Sequence, residues 1–141
     1  MLNNDSVDSW GNKRGIINDR DRARQIKSYE NIRYGKITPT DIDGCIEYHN
    51  KAYIIIEGKY GDTELRGGQK LALERLTDDL EKTNKKILLI FFNHHVKNCN
   101  EDIKVAEQQV TLYRRNGRWN NPNQITVKEL CDSFISEVDK I

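Results

Sequence analysis

Cysteine is scarce in this chain and odd in number: Cys45, Cys99 and Cys131 stand far apart in 141 residues. That spacing supplies neither a disulfide framework nor a metal-binding pair, so the thiols are expected to be reduced in a soluble, cytoplasmic protein. No apolar run approaches the roughly 20 residues that a membrane helix needs, and the first residues lack the apolar core of a signal peptide. No membrane partner is therefore expected. A surplus of either charge is missing as well: 23 Lys and Arg stand against 22 Asp and Glu, for a net +1. Composition alone does not announce a nucleic-acid binder, and any DNA surface must arise from local clustering. A Ser-His-Asp arrangement, a glycine loop with a following lysine and a His–Cys cluster are all absent. His94 and His95 are adjacent at a strand end and point opposite ways, so both are read as structural.

The length suits one domain with a real core. Residues 1–15 are polar, with a single Trp10, and are expected to form a flexible N-terminal arm in which Lys13 and Arg14 could touch a phosphate backbone. Residues 16–141 are expected to form the domain. Asn18 and Asp21 resemble a helix start, and the spacing predicts a helix to about Arg33. Its Ala23, Ile26 and Glu30 would share one face.

What is present is most informative from Asp41 to Tyr60. The even positions Ile42, Gly44, Ile46, Ala52, Ile54, Ile56 and Gly58 are apolar or glycine, whereas odd positions carry Asp41, Asp43, Glu47, Glu57 and Lys59. Side chains alternate along a strand, so one face is read as core and the other as a collection of carboxylates and an amine. A three-residue connection at His49-Asn50-Lys51 sets Asp43 opposite Glu57 and Asp41 opposite Lys59. A two-residue turn would bury acids among isoleucines, a cost that rules out that register. Two adjacent acids repel unless a cation lies between them, and carboxylate oxygens suit Mg²⁺ or Mn²⁺.

Asp43 on one strand with Glu57-Gly58-Lys59 on the next resembles the core of the PD-(D/E)XK nuclease superfamily. The resemblance covers roughly residues 19–96, in the order helix, strand hairpin, helix, strand. It implies a restriction-endonuclease-like fold and metal-dependent hydrolysis of DNA phosphodiester bonds. Asp43 and Glu57 would be metal ligands, the Gly58 carbonyl a third oxygen, and Lys59 the group that positions or polarises the attacking water. Glu30 and Gln69 fall where some branches carry supporting acid and glutamine residues. No proline directly precedes Asp43 (Pro39 is four residues back), so Asp41 competes as first ligand, and Leu73 replaces a tyrosine found in some branches. The small domain without a reader module suggests structure-selective or partner-directed cleavage, and a homodimer would cut both strands. The alternative is a non-catalytic DNA- or protein-binding module on the same scaffold.

Downstream, Gly61, Gly67 and Gly68 punctuate a loop, and a helix is predicted to about Thr83 with Gln69, Ala72, Leu73, Leu76 and Leu80 as its stripe. Ile87-Leu88-Leu89-Ile90-Phe91-Phe92 reads as a central strand buried on both faces. A helix between strands suggests a parallel crossover, giving an α/β class with a central mixed β-sheet flanked by helices. Ile103 to Trp119 reads as a strand running into an Asn116-Gly117 hairpin turn. Arg114, Arg115, Arg118 and Trp119 flank that turn and form the candidate DNA contact, by phosphate pairing and base stacking. Thr126 and Glu129 form a capping box for a C-terminal amphipathic helix expected to pack on the sheet.

Overall fold

The register that parity required forms, but the expected core face is incomplete: the even-numbered Ile42 and Ile46 are 41% and 42% exposed. In the computed structural model, which describes residues 19–141, β1 (Gly44–Tyr48) and β2 (Ala52–Tyr60) form an antiparallel pair joined by His49-Asn50-Lys51. Gly44 faces Ile56 and Tyr48 faces Ala52, the register that the charge pattern requires. His49 and Asn50 adopt positive φ, 49° and 60°, and the Asn50 amide donates to Glu47 Oε2 at 2.6 Å. The carboxylate thus satisfies a turn amide that has no strand partner.

Helix α2 (Gly67–Glu81) carries the chain across to β3 (Lys86–His94), which runs parallel to β2. Strands β4 (Val110–Arg115) and β5 (Arg118–Asn120) follow antiparallel, completing a five-stranded mixed sheet in the order β1-β2-β3-β4-β5. Asn116 and Gly117 both have positive φ, 52° and 76°, as a two-residue turn that follows the strand twist demands. The approach to β4 is not the strand expected from Ile103: it is irregular, with one 3₁₀ turn at Val105–Glu107.

Helix α3 (Val127–Asp139) starts with both halves of the Thr126–Glu129 capping box and lays Val127, Phe134 and Val138 on the sheet. Beneath it lie Ala52, Ile54, Leu88, Ile90 and Phe92. On the opposite face α2 places Leu73 against Ile55, Leu89 and Phe91. Both faces of β2 are therefore covered, which corrects the reading of a core face and a charged face. Ile55 is the odd-numbered residue that gives this away. On α2 the buried stripe runs through Leu73 and Thr77, while Ala72 and Leu76 are exposed.

The helix expected to run to Arg33 is a second correction. Only α1 (Arg20–Ala23) forms, capped by the Asp19 side chain. The chain beyond it lacks an apolar stripe long enough to dock, and a short helix has little stability without docking. Ile26, on the proposed inner face, is 94% exposed, and Asn31 and Gly35 turn the chain at φ 69° and 65°. The arm of residues 1–15 and the Asn18 cap lie outside the described residues. No described helix is long and apolar enough to cross a membrane.

Candidate active site

Glu57 is 2% exposed, an uncommon position for a carboxylate. β2 aims it at the face under α2, near the end where the parallel pair finishes. Two glycines open α2, and directly after them Gln69 reaches down so that its Nε2 donates to Glu57 Oε1 at 3.0 Å. Lys59, next on the same face of β2, puts Nζ 3.7 Å from that oxygen. The second oxygen, Oε2, is buried with no hydrogen-bond partner among the described residues. A buried polar atom left so is costly, and Arg114 Nε and Arg115 Nε share that status among the described residues.

Asp43 closes the arrangement. It sits one residue before β1, where the ladder has ended, and its Oδ2 accepts from the Gly58 amide at 2.8 Å. The other Asp43 oxygen accepts no hydrogen bond among the described residues. Burial first, and then the charge of Asp43, push the Glu57 carboxyl above its ordinary range; Lys59 and Gln69 pull it back, and Asp41 adds a smaller push. Asp41 itself lines a cleft of about 570 Å³ together with Lys59 and Gln69. No three of His, Cys, Asp and Glu converge on one point among the described residues. Two carboxylates with waters and substrate oxygens are nevertheless the usual Mg²⁺ shell.

Packing favours glycine at position 58, a reason that the Glu-x-Lys spacing does not disclose. The ring of its β3 neighbour Phe92 lies across it, and a Cβ there would stand 2.3 Å from the ring. The residue between the acid and the lysine is thus set by packing on the far side of the sheet.

The other candidates lie elsewhere. Glu30 is exposed in a turn and lines a separate shallow cleft with Tyr29 and Arg33, so its expected placement on a helix beside the site does not occur. The hairpin cluster splits across the sheet. Arg114 is 8% exposed under α2, donating to Asp78 at 2.8 Å and to the Gly117 carbonyl at 3.2 Å. Trp119, on the same face, donates to Glu74 Oε2 at 2.6 Å. Arg115 turns to the α3 side, pairs with Glu137 at 2.8 Å and stacks over Phe134. Arg118 alone of the three arginines is exposed. Sequence reasoning also passed over Lys36 and Arg75, which line the cleft beside Glu57. Arg75 was legible in principle, since Gly68, Ala72 and Arg75 recur at helical spacing on the flank of α2. His94 accepts from the Val96 amide at 3.3 Å and His95 pairs with Asp62 at 3.6 Å, both local contacts.

A pH dependence follows from the buried acid. The folded pKa of Glu57 lies above the unfolded one, about 4.3, so the folded chain binds the proton more tightly between those values. In EDTA this group contributes most to stability below the unfolded pKa, and that contribution declines as pH rises through the folded one. Glu57→Gln is expected to remove the decline while keeping the Gln69 contact. Urea denaturation of both proteins across the acidic to neutral range checks this. An unchanged slope in the variant would assign the effect to another group.

The chain matches no family model, no curated protein and no solved structure in the comparisons made.

Proposed function

We propose that this chain is a Mg²⁺- or Mn²⁺-dependent DNA endonuclease with a restriction-endonuclease-like core of the PD-(D/E)XK type. The supporting observation is the buried Glu57 Oε2, which has no hydrogen-bond partner among the described residues and stands close enough to Asp43 for the two carboxylates to repel. Glu57 Oε2, the free oxygen of Asp43 and the Gly58 carbonyl would hold the cation. When bound, it supplies positive charge that neutralises a phosphate and lowers the pKa of a coordinated water.

The chain's own residues supply the rest. Gln69 holds the Glu57 carboxylate through Oε1 and leaves Oε2 without a protein partner among the described residues, so that Oε2 could take a cation. Asp43 is held in turn by the Gly58 amide. Lys59 extends from the same strand face as Glu57 with its amine partly open to the cleft, so it can position the attacking water near the scissile phosphorus. As an ammonium it stabilises charge gathering on the phosphoryl oxygens; as an amine it accepts the water proton. A homodimer would allow both strands to be cut.

The test has two arms. Plasmid, single-stranded and branched DNA are incubated with Mg²⁺ or Mn²⁺ and scored for nicks against EDTA controls. Separately, Mn²⁺ is expected to raise the melting temperature, because a ligand bound only by the native state stabilises it by mass action. Asp43→Asn should abolish that rise. An equal rise in the variant would transfer the ligand role to Asp41. DNA binding without nicking in any of these conditions would leave a non-catalytic binding module.

A further inference from the structure

The cleft that adjoins Glu57 has its own chemistry. Lys36 and Arg75, from two different elements, line it together with Asp41, and neither cation has an acidic partner or a side-chain hydrogen bond among the described residues. That contrasts with the hairpin, where Arg114 and Arg115 are both committed to carboxylates. The same lining leaves apolar groups open: Ile37 is 71% exposed and Leu71 is 44% exposed, and Pro39 also lines the cleft.

Local geometry holds these groups in place. Tyr34 and Ile37 exchange two backbone hydrogen bonds across Gly35-Lys36, and the positive φ of Gly35 gives this two-residue turn its type II′ shape. Lys36 is therefore presented at a tight tip, with Ile37 following it into the cleft. Leu71 and Arg75 are one helical turn apart on α2, the helix that positions Gln69.

We propose that this cleft receives one unpaired nucleotide of the DNA substrate, its phosphate on Lys36 and Arg75 and its base against Ile37, Pro39 and Leu71. This rests on the nuclease reading and narrows it to a substrate with a single-stranded or frayed segment at the point of cleavage. At about 570 Å³ the cleft is on the scale of small-ligand sites, about 300–1,000 Å³, which suits one extruded nucleotide better than a base still stacked in a duplex. Enzymes acting on extruded nucleotides hold the base between apolar or aromatic side chains, and cations beside exposed apolar groups match a nucleotide's two halves.

The test is a fluorescence-anisotropy titration of a short labelled oligothymidine and of the blunt duplex of equal length, in Ca²⁺ and again in EDTA. The single strand should bind about tenfold more tightly, the scale of covering one apolar side chain with a base. Replacing Lys36 and Arg75 together by alanine should flatten the slope of log affinity against log salt by about 1.4, roughly 0.7 for each phosphate contact to a single strand. Ile37→Ser with Leu71→Ser should erase the preference for the single strand and leave the slope unchanged. All four side chains are exposed, so these variants should fold. Equal or tighter binding of the duplex, or an unchanged salt slope in the lysine–arginine variant, overturns the proposal. The two readings fail separately, because the cleft needs no metal to bind. A protein that prefers the single strand but neither nicks DNA nor responds to Mn²⁺ keeps the cleft and loses the nuclease. One that nicks duplex without that preference does the reverse.

Discussion

Lys59→Ala is expected to cleave DNA about 10²–10⁴-fold more slowly than the natural chain, the span of one positioned proton-transfer group. Mn²⁺ should still raise its melting temperature at pH 8. The amine touches Glu57 Oε1 and not the orphaned Oε2, so its removal leaves the cation position in place. It does remove a charge that holds the Glu57 carboxyl down, so the metal response of the variant should fade at a higher pH than that of the natural chain. Glu57→Ala should lose cleavage and metal response together. Single-turnover rates with saturating DNA, set beside thermal melts with and without Mn²⁺, separate the two variants. Cleavage at the natural rate in Lys59→Ala would end the case for this lysine.

The second large effect is expected from a residue that carries no chemistry. Gly58→Ala should destabilise the fold by about 1–3 kcal/mol, the cost of forcing an extra carbon into a packed core. The collision is with the Phe92 ring, which fills the space a Cβ would need. Phe92 is itself packed against the α3 side of the sheet, so it has little room to retreat. Shortening that ring should relieve the conflict: Gly58→Ala and Phe92→Leu are expected to be less destabilising together than the sum of the two alone. Residues in contact typically couple by roughly 0.5–3 kcal/mol. Urea denaturation of the double-mutant cycle measures this, and additive effects would mean that the ring moves aside freely.

Much of the fold was legible because several local signals agreed. The parity of apolar and charged positions required the β1–β2 register, and the unbroken run Ile87–Phe92 required a strand covered on both sides. Asn116-Gly117 and the Thr126–Glu129 box are short-range devices whose geometry depends on their own residues. Glu57, Lys59 and Gln69 came together for the same reason, since one strand and the adjoining helix start hold all three. The failures have a common physical origin in tertiary partners. Glu30 was placed on a helix that never found a surface to dock against. Arg114 and Arg115 are neighbours in sequence, yet strand alternation sends them to opposite faces and to different acids. The partners, Asp78 and Glu137, lie on helices distant in sequence, so no local pattern announces them. Ile55 was similarly hidden among isoleucines until α2 was seen to cover it.

The order in which the layers are added has a consequence for synthesis. Residues 41–75 carry Asp43, Glu57, Lys59, Gln69 and Arg75, so the whole proposed centre is translated early. Its backing is not: Ile54, Leu88, Ile90 and Phe92 are sealed by α3, the last element in chain order. A nascent chain stalled before Val127 would hold a nearly finished site on a sheet with one naked apolar side. Such a sheet is adhesive toward other chains. A chain truncated before Val127 is therefore expected to aggregate more readily than one that carries α3.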